Sequence, residues 1–413
     1  MFKPGSSSAL GSGDDGAPAK HHLDHLNPDA EPADVDMGNI EEWAMLTGPS
    51  DCTSTTSSCS GRTPSETSDA SDSFSPDMGL ARLQLEDNIE YRPFDGEETP
   101  PWKLYDLARR MKHNAAGNEL LSLLDWAQIL RLAADHPQLY DTLELQNGVD
   151  FSTERLRYGV LPPVATLIDI CNEARKCHDK GLSDASWNEA VRYPLLKTAL
   201  RHARLNSTDR EKVYTVEVTN ANSAQIRQPY IPTSLGPRQE KQVDYCVYVD
   251  PGVHTPLADF LSAMGRMSSY SSINHTDYKP LANCLISLSI GTVQAGENYQ
   301  TALARMARWL SAHWKRLNAL NPLVLQDFLF LPAIIIDGHD WTFIASTQGR
   351  QFGNGYDRMT VIWNKVHIGS TDSFQGICQI VSALQRLATW TGEELFLWFY
   401  IEILSKKGFS FPE

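Results

Sequence analysis

One carboxylate within an apolar, strand-like segment is the first candidate for chemistry in this sequence. Residues 241–250, KQVDYCVYVD, are rich in β-branched and aromatic residues and alternate at the period of a β-strand. Asp244 lies inside this run. A buried carboxylate is costly unless it is paired, hydrogen-bonded or bound to a metal. Asp244 is therefore either part of a functional site, which we favour, or a structural carboxylate paired with Lys241 or Arg227.

The elements around Asp244 follow from the spacing of apolar residues along the chain. In chain order they are a helix at 186–203, strands at 213–221, 241–250 and 284–293, an amphipathic helix at 298–317 and a strand at 328–336. Strands at 341–346 and 359–367 and helices at 374–390 and 394–404 follow. Residues 251–280, rich in Ser, Gly and Pro, are expected to form a long connection. This order predicts an α/β (α+β) domain with a mixed central sheet and helices on both faces.

Two further regions precede this main domain, which we place at 181–413. Residues 1–90 are rich in Ser, Asp, Gly, Thr and Pro and cannot bury enough apolar surface to offset the entropy of ordering. They are predicted to be a disordered acidic tail. Residues 91–180 contain predicted helices at 102–111, 119–134 and 167–178. We interpret them as a helical extension packed on the main domain.

Charge is distributed unevenly between these regions. Residues 1–90 hold 4 of the 36 Lys and Arg but 17 of the 51 Asp and Glu, which is a net charge of −13 out of the total of −15. The rest of the chain is nearly neutral, so its composition does not indicate a strongly basic nucleic-acid-binding surface. No apolar run is long enough to predict a membrane span. Seven cysteines without a CxxC pair favour reduced thiols and an intracellular location, nuclear or cytoplasmic.

A series of short motifs, none of them specific alone, occurs along residues 155–405. They include Trp187–Leu196 (WNEAVRYPLL), Lys241–Tyr245 (KQVDY), Asn274–Leu281 (NHTDYKPL), Phe330–Pro332 (FLP), Asp337–Trp341 (DGHDW) and Ile368–Thr371 (IGST). In this order they resemble the fungal PD-(D/E)XK nuclease-like domain family, of the restriction-endonuclease-like superfamily. The resemblance implies an αβββαβ core, which agrees with the predicted order of elements.

The resemblance also implies a magnesium site built on two acids. In such nucleases an acid of the first helix and one of the second strand bind Mg²⁺, which acidifies a water molecule and stabilises charge on the phosphate. Glu189 matches the helix acid and Asp244 the strand acid, so both are candidate catalytic residues and metal ligands. Glu189 also has a structural interpretation, because Ser186 and Glu189 have the S-x-x-E spacing of a helix capping box.

The Glu-x-Lys motif that the family carries on its third strand is degenerate here. The aligned segment is Ser289–Val293, SIGTV, so Gly291 stands at the Glu position and Val293 at the Lys position. Loss of one positioned donor costs about 10²–10³-fold in rate. Loss of a carboxylate also weakens metal affinity, so Mg²⁺ is expected to bind weakly or not at all. The nearby polar residues that would have to replace the missing pair are Gln294, Glu297 and Lys315.

The remaining motifs favour structural roles. Four histidines lack the spacing of zinc ligands and are interpreted as structural: His275, His313, His339 and His367. The sequence has no G-x-S-x-G elbow, and the GNG at 353–355 lacks the Lys-Ser/Thr of a P-loop. Six aromatic residues at helical spacing are expected in the core: Trp309, Trp314, Trp390, Phe396, Trp398 and Phe399.

The sequence therefore predicts a nuclease-like protein with impaired or lost phosphodiesterase activity, a pseudoenzyme candidate that retains nucleic-acid or partner binding. Two alternatives stay open. One is an active Mg²⁺-dependent nuclease in which a migrated residue replaces the missing pair. The other is a non-enzymatic scaffold or regulatory protein that binds protein partners through its acidic tail.

Overall fold

The computed structural model describes residues 87–135, 151–204, 214–233, 241–321, 330–351 and 358–411. They belong to one compact unit, which extends over Ser71–Glu413. The predicted disordered tail lies outside the described residues, apart from residues 87–90. Its proposed role in binding protein partners therefore stays a prediction, as do the domain boundaries.

Seven strands of the described residues form one mixed sheet. They are β1 (Ile89–Pro93), β2 (Thr215–Asn220), β3 (Tyr245–Asp250), β4 (Leu285–Thr292), β5 (Leu331–Asp337), β6 (Asp340–Gln351) and β7 (Arg358–Ser370). Their order across the sheet is β1-β7-β6-β5-β4-β3-β2. The β1–β7 and β4–β5 pairs are parallel, and the other pairs are antiparallel. The mixed sheet predicted from the sequence is therefore confirmed.

The helices of the described residues connect and cover these strands. They are α1 (Trp102–Ala115), α2 (Leu123–Asp135), α3 (Arg155–Tyr158), α4 (Val164–Asp179), α5 (Asp184–Trp187), α6 (Tyr193–Arg201), α7 (Pro256–Arg266), α8 (Tyr299–Leu320), α9 (Phe374–Trp390) and α10 (Leu397–Phe399). A π-helical turn, Asn188–Arg192, joins α5 to α6, and two more, Thr391–Phe396 and Tyr400–Leu404, flank α10. Short 3₁₀ turns occur at Lys279–Leu281 and Ser405–Lys407.

The predicted αβββαβ order is present in the segment from α5 to β5. Strands β2, β3 and β4 form an antiparallel meander, and α8 then carries the chain to β5, which is parallel to β4. A parallel pair needs a crossover of this kind. Strand β4 is buried along its whole length, as expected of a central strand with both faces covered. This places the third-strand motif in the middle of the core.

Two local predictions differ from the structure. The region interpreted as a helical extension also contributes a strand, because β1 pairs with β7 at the sheet edge. The long connection predicted at 251–280 contains helix α7, which begins with Thr255 accepting a hydrogen bond from Ala258 N at 3.0 Å. Pro256 occupies the first helical position, where proline is favoured. The Ser, Gly and Pro content of this segment concealed the Thr-Pro helix start.

The six aromatic residues expected in the core are buried, which confirms that prediction. Trp309 donates from Nε1 to Ser289 Oγ at 2.9 Å, so this hydrogen bond as well as packing holds α8 against β4. Trp314, one and a half turns further along α8, donates to Ser346 Oγ of β6 at 3.0 Å. No helix among the described residues has the length and apolar character needed to cross a membrane.

Candidate active site

Asp244 is fully buried at the entrance to β3. Its Oδ2 accepts hydrogen bonds from the backbone N of Thr292 at 2.8 Å and from Thr292 Oγ1 at 3.1 Å. Its Oδ1 accepts no hydrogen bond from the described residues, but Lys241 Nζ lies 2.6 Å away and forms an ion pair with it. The carboxylate therefore joins the ends of β3 and β4, and both of its oxygens are occupied by protein groups.

A second carboxylate extends this ion pair. Asp184, at the start of α5, has its Oδ2 3.9 Å from Lys241 Nζ, while its Oδ1 pairs with Arg192 Nη1. Arg192 is almost fully buried and also donates to Asn188 Oδ1 at 2.9 Å. The four charged groups, two acids and two bases, form a network with no net charge that links the first helix to the second strand.

The π-helical turn after α5 determines where the first-helix residues lie. Ser183 caps α5 by accepting from Ser186 N at 3.3 Å, so the cap lies three residues before the predicted one. Glu189 lies in the π-helical turn, beyond the first α-helical turn, and the capping box predicted for Ser186 and Glu189 is wrong. Tyr245 Oη donates to Asn188 O at 3.4 Å, which connects this turn to β3.

Glu189, the sequence-matched helix acid, is exposed. No hydrogen bond or ion pair joins it to another of the described residues. The structure therefore brings Asp184, and not Glu189, into the network of Asp244. The assignment of Glu189 as a metal ligand stays a prediction.

Of the two degenerate third-strand positions, Gly291 lies against helix α8. Gly291 is buried in β4, and a Cβ added there would lie 3.1 Å from Met306 Cε. Val293 follows the end of β4, donates its N–H to Ile336 O at 2.8 Å and packs on the core. A glutamate at 291 would therefore meet the apolar end of Met306.

Of the groups considered as replacements for the missing pair, Glu297 has other partners. Glu297 accepts from Gln294 N at 3.1 Å and pairs with Arg305 Nη1 at 2.6 Å. Arg305, which is buried, also donates to Thr292 O at 2.7 Å, so it closes the end of β4 from the α8 side. Lys315 lies ten residues further along α8, about 15 Å from Arg305 at the helical rise of 1.5 Å per residue.

The residues at this site do not fit Mg²⁺ as they stand. Mg²⁺ requires several oxygen ligands in near-octahedral geometry. Both oxygens of Asp244 are held by Lys241 and Thr292, and the lysine ammonium occupies the position that a cation would take. Among the described residues, no cluster of three or more His, Cys, Asp or Glu side chains could hold a metal ion.

Sequence reasoning named Lys241 as a structural partner of Asp244 and did not name Asp184 or Arg192. Lys241 precedes Asp244 by three residues, so the pair was visible in the sequence. The other proposed partner, Arg227, pairs with Asp277 at 2.7 Å instead. Asp184 and Arg192 are eight residues apart, with Arg192 at the end of the π-helical turn, and the folded chain pairs their side chains.

Of the four histidines, His275 and His313 are buried and pack as structural residues, whereas His367 is exposed. His275 and His313 stack at 5.0 Å between ring centroids, and His275 also packs edge-on to Trp309 at 4.2 Å. Burial lowers the pKa of His313 to about 3. Burial, reinforced by His313 and Arg316, holds the pKa of His275 well below its usual value. His339 contacts Thr371 Oγ1 through Nδ1 at 2.9 Å, which joins two of the motifs that carry the family resemblance.

The mixed sheet and its αβββαβ core define a restriction-endonuclease-like fold. Residues 132–396, more than half of the chain, match the family model of the PD-(D/E)XK nuclease superfamily. The chain belongs to this superfamily. Separate searches of curated proteins and of solved structures return no match. The fungal origin suggested by the motifs stays a prediction.

Proposed function

We propose that this protein is a PD-(D/E)XK superfamily member that binds its target without cleaving phosphodiester bonds. One observation carries the proposal: the strand acid, Asp244, is fully buried with one oxygen paired to Lys241 and the other bonded to Thr292. In this arrangement both carboxylate oxygens already contact protein groups, and the Lys241 ammonium lies where a metal ion would otherwise approach.

Charge balance supports the same conclusion. Asp184 and Asp244 are offset by Arg192 and Lys241. A divalent cation approaching this network gains no net attraction, because each acid already has a positive partner. To enter, Mg²⁺ would have to displace the Lys241 ammonium from Asp244 Oδ1, 2.6 Å away, and leave the lysine only its more distant acid, Asp184 Oδ2 at 3.9 Å.

The missing third-strand pair is the second support. A glutamate and a lysine at 291 and 293 would supply a further oxygen ligand and a cation for the developing charge. Glycine and valine supply neither, and Glu297 is held by Arg305. The binding function we propose is contact with nucleic acid, as the superfamily suggests, while protein binding through the acidic tail stays the alternative.

A second candidate is an active nuclease in which Lys241 replaces the ammonium missing at Val293. The observation that favours it is the same 2.6 Å contact between Lys241 Nζ and Asp244 Oδ1. In that case Asp184 would serve as the helix acid, since its Oδ2 is 3.9 Å from the same ammonium. This candidate requires the network to open when Mg²⁺ and substrate bind.

The test is metal-dependent cleavage by the purified full chain. DNA and RNA, single- and double-stranded, are incubated with Mg²⁺ or Mn²⁺, and Asp244→Asn serves as the control. We expect wild type and Asp244→Asn to show the same background level of DNA and RNA cleavage. Cleavage by wild type that Asp244→Asn abolishes would overturn the proposal, and its loss in Lys241→Met would then favour the second candidate.

Nucleic-acid binding is measured separately with the same purified chain. Binding that uses phosphate contacts weakens as salt rises, because counterions are released from the backbone. We expect log affinity to fall linearly with log salt concentration. An affinity independent of salt, or no binding to DNA or RNA, would reject nucleic acid as the target.

A further inference from the structure

Two histidines from distant parts of the chain lie side by side, outside the Asp244 network. His178 is in the last turn of α4, and His339 is in the tight turn between β5 and β6. Their ring centroids are 5.0 Å apart, and the ring planes are inclined at 49°. His178 is exposed and His339 is partly exposed, so solvent reaches the pair.

The spacing of the two rings is that of imidazoles that share one metal ion. A transition metal binds a histidine nitrogen at about 2.0–2.1 Å, and two such rings at a tetrahedral angle have centroids roughly 5 Å apart. His275 and His313 have the same separation, but both are buried. The pair of His178 and His339 differs because it is open to solvent, so a hydrated ion can reach it.

His339 is held in place by its neighbours. Its Nδ1 contacts Thr371 Oγ1 at 2.9 Å, and the backbone N of Thr371 donates to His339 O at 3.0 Å. The Trp187 ring packs edge-on to it at 5.0 Å between centroids. A partner on one ring nitrogen fixes the orientation of the imidazole and leaves the other nitrogen as the ligand, as in many metal sites.

The remaining ring nitrogens are available as ligands. Nε2 of His339 has no hydrogen-bond partner among the described residues and is not one of their buried unpaired atoms, so it is open to solvent. The ring nitrogens of His178 likewise have no hydrogen-bond partner in the described part of the chain. Burial and the neighbouring His178 lower the pKa of His339, which favours the neutral ring that a metal needs.

The charges around the pair also favour a cation. The carboxylates of Asp340 and Asp372 act on His339 and oppose the lowering of its pKa, whereas Arg175 acts in the opposite sense. Two acids therefore face one base. His178 adds the end of α4, where the helix carbonyls attract positive charge.

We propose that His178 and His339 bind a divalent transition metal of the zinc class and so fasten α4 to the β5–β6 turn. Imidazole suits Zn²⁺, Cu²⁺ and Ni²⁺, whereas Mg²⁺ prefers oxygen ligands. Among the described residues no further His, Cys, Asp or Glu joins the pair in a cluster of three that could hold a metal ion, so water completes the coordination. The pair shares no residue with the Asp244 network, and its binding of metal is independent of phosphodiester cleavage.

The test is calorimetric titration of the full chain with Zn²⁺, with Mg²⁺ as the comparison ion. His21, His22 and His25 lie close together in the sequence and can bind metal by themselves. Every protein in the titration therefore carries glutamine at these three positions, and this chain is the background for the further variants. We expect it to bind Zn²⁺ saturably and to bind Mg²⁺ at least tenfold more weakly at the same site.

Single substitutions then assign the site. We expect one equivalent of Zn²⁺ to bind at least tenfold more weakly in His178→Gln and in His339→Gln. His113→Gln, at an exposed position of α1, is the matched control and should bind like the background chain. Melting curves give a second readout, because an ion that binds only the folded state raises its stability. Zn²⁺ should raise the melting temperature of the background chain more than that of His178→Gln.

The exposed position of His178 keeps the proposal testable if His339→Gln prevents folding. His178→Gln without metal should melt like the background chain, so a loss of Zn²⁺ binding there reports the ligand and not the fold. No saturable Zn²⁺ binding by the background chain, or unchanged affinity in His178→Gln, would overturn the proposal.

Discussion

Lys241 Nζ lies 2.6 Å from Asp244 Oδ1, and the two residues are only three positions apart at the entrance to β3. The lysine retains 23% exposure, whereas the aspartate is fully buried. The partly exposed Lys241 side chain thus places its ammonium beside a carboxylate inside the core. In a nuclease of this superfamily a metal ion would perform that neutralisation, and here the protein performs it with its own side chain.

Removing the Lys241 ammonium should destabilise the fold. Lys241→Met leaves Asp244 as a buried charge bonded only to Thr292, and we expect a loss of about 3 kcal/mol in the free energy of unfolding. Urea denaturation measures it. The double variant Lys241→Met/Asp244→Asn should recover part of the loss, because no charge is then buried. A free energy of unfolding of Lys241→Met within about 0.5 kcal/mol of the wild-type value would contradict the structural role of the pair.

Restoring the glutamate of the third strand should damage the core. Gly291→Glu places a Cβ 3.1 Å from Met306 Cε and a carboxylate against α8, so we expect a loss of about 2–4 kcal/mol. Gly291→Ala is the matched control and should cost about 1 kcal/mol or less, because the Met306 side chain can move. Thermal denaturation compares the two. Equal melting temperatures for Gly291→Glu and wild type would show that the site still accepts the acid.

Magnesium should not stabilise this protein through Asp244. A ligand that binds only the folded state raises stability by RT ln(1 + [L]/Kd), about 2.7 kcal/mol at a hundredfold excess over Kd. We therefore expect the same melting temperature in Mg²⁺ and in EDTA at matched ionic strength. If Mg²⁺ raises the melting temperature of wild type but not that of Asp244→Asn, a metal would be assigned to this carboxylate.

The buried histidine pair should make the fold sensitive to acid. His313 has its pKa lowered to about 3 by burial, so the unfolded chain binds the proton more tightly. Stability is then full above pH 6.5 and falls as the pH decreases toward 3, by up to about 1.4 kcal/mol per pH unit for each such histidine.

The comparison that isolates this effect uses two glutamine variants. Between pH 6 and 4, His313→Gln should show a shallower loss of stability with falling pH than wild type. His367→Gln, at an exposed position of β7, should keep the wild-type slope. Identical slopes in all three proteins would exclude the buried ring as the source of acid sensitivity.

Sequence alone predicted the order of the αβββαβ core elements and the superfamily, but missed β1 and α7. Apolar periodicity is a local property, so the spacing along α8 and the leucines and isoleucines of β4 were sufficient to predict those two elements. The pairing of Asp244 with Lys241 was also accessible, because both lie in one ten-residue segment. The strand predicted at 241–250 begins only at Tyr245, so Asp244 lies just before it. The substitution of glycine and valine for the Glu-x-Lys pair is likewise a property of the sequence.

Tertiary structure decided which side chains meet. Asp184 replaces Glu189 beside Asp244 because α5 starts at residue 184 and continues into a π-helical turn, and hydrophobic periodicity does not encode that geometry. The surroundings of Arg386 depend on Asn114, Glu119 and Tyr158, which are more than 200 residues away in sequence. Contacts at that separation follow from packing, and only the folded chain shows which charges have partners.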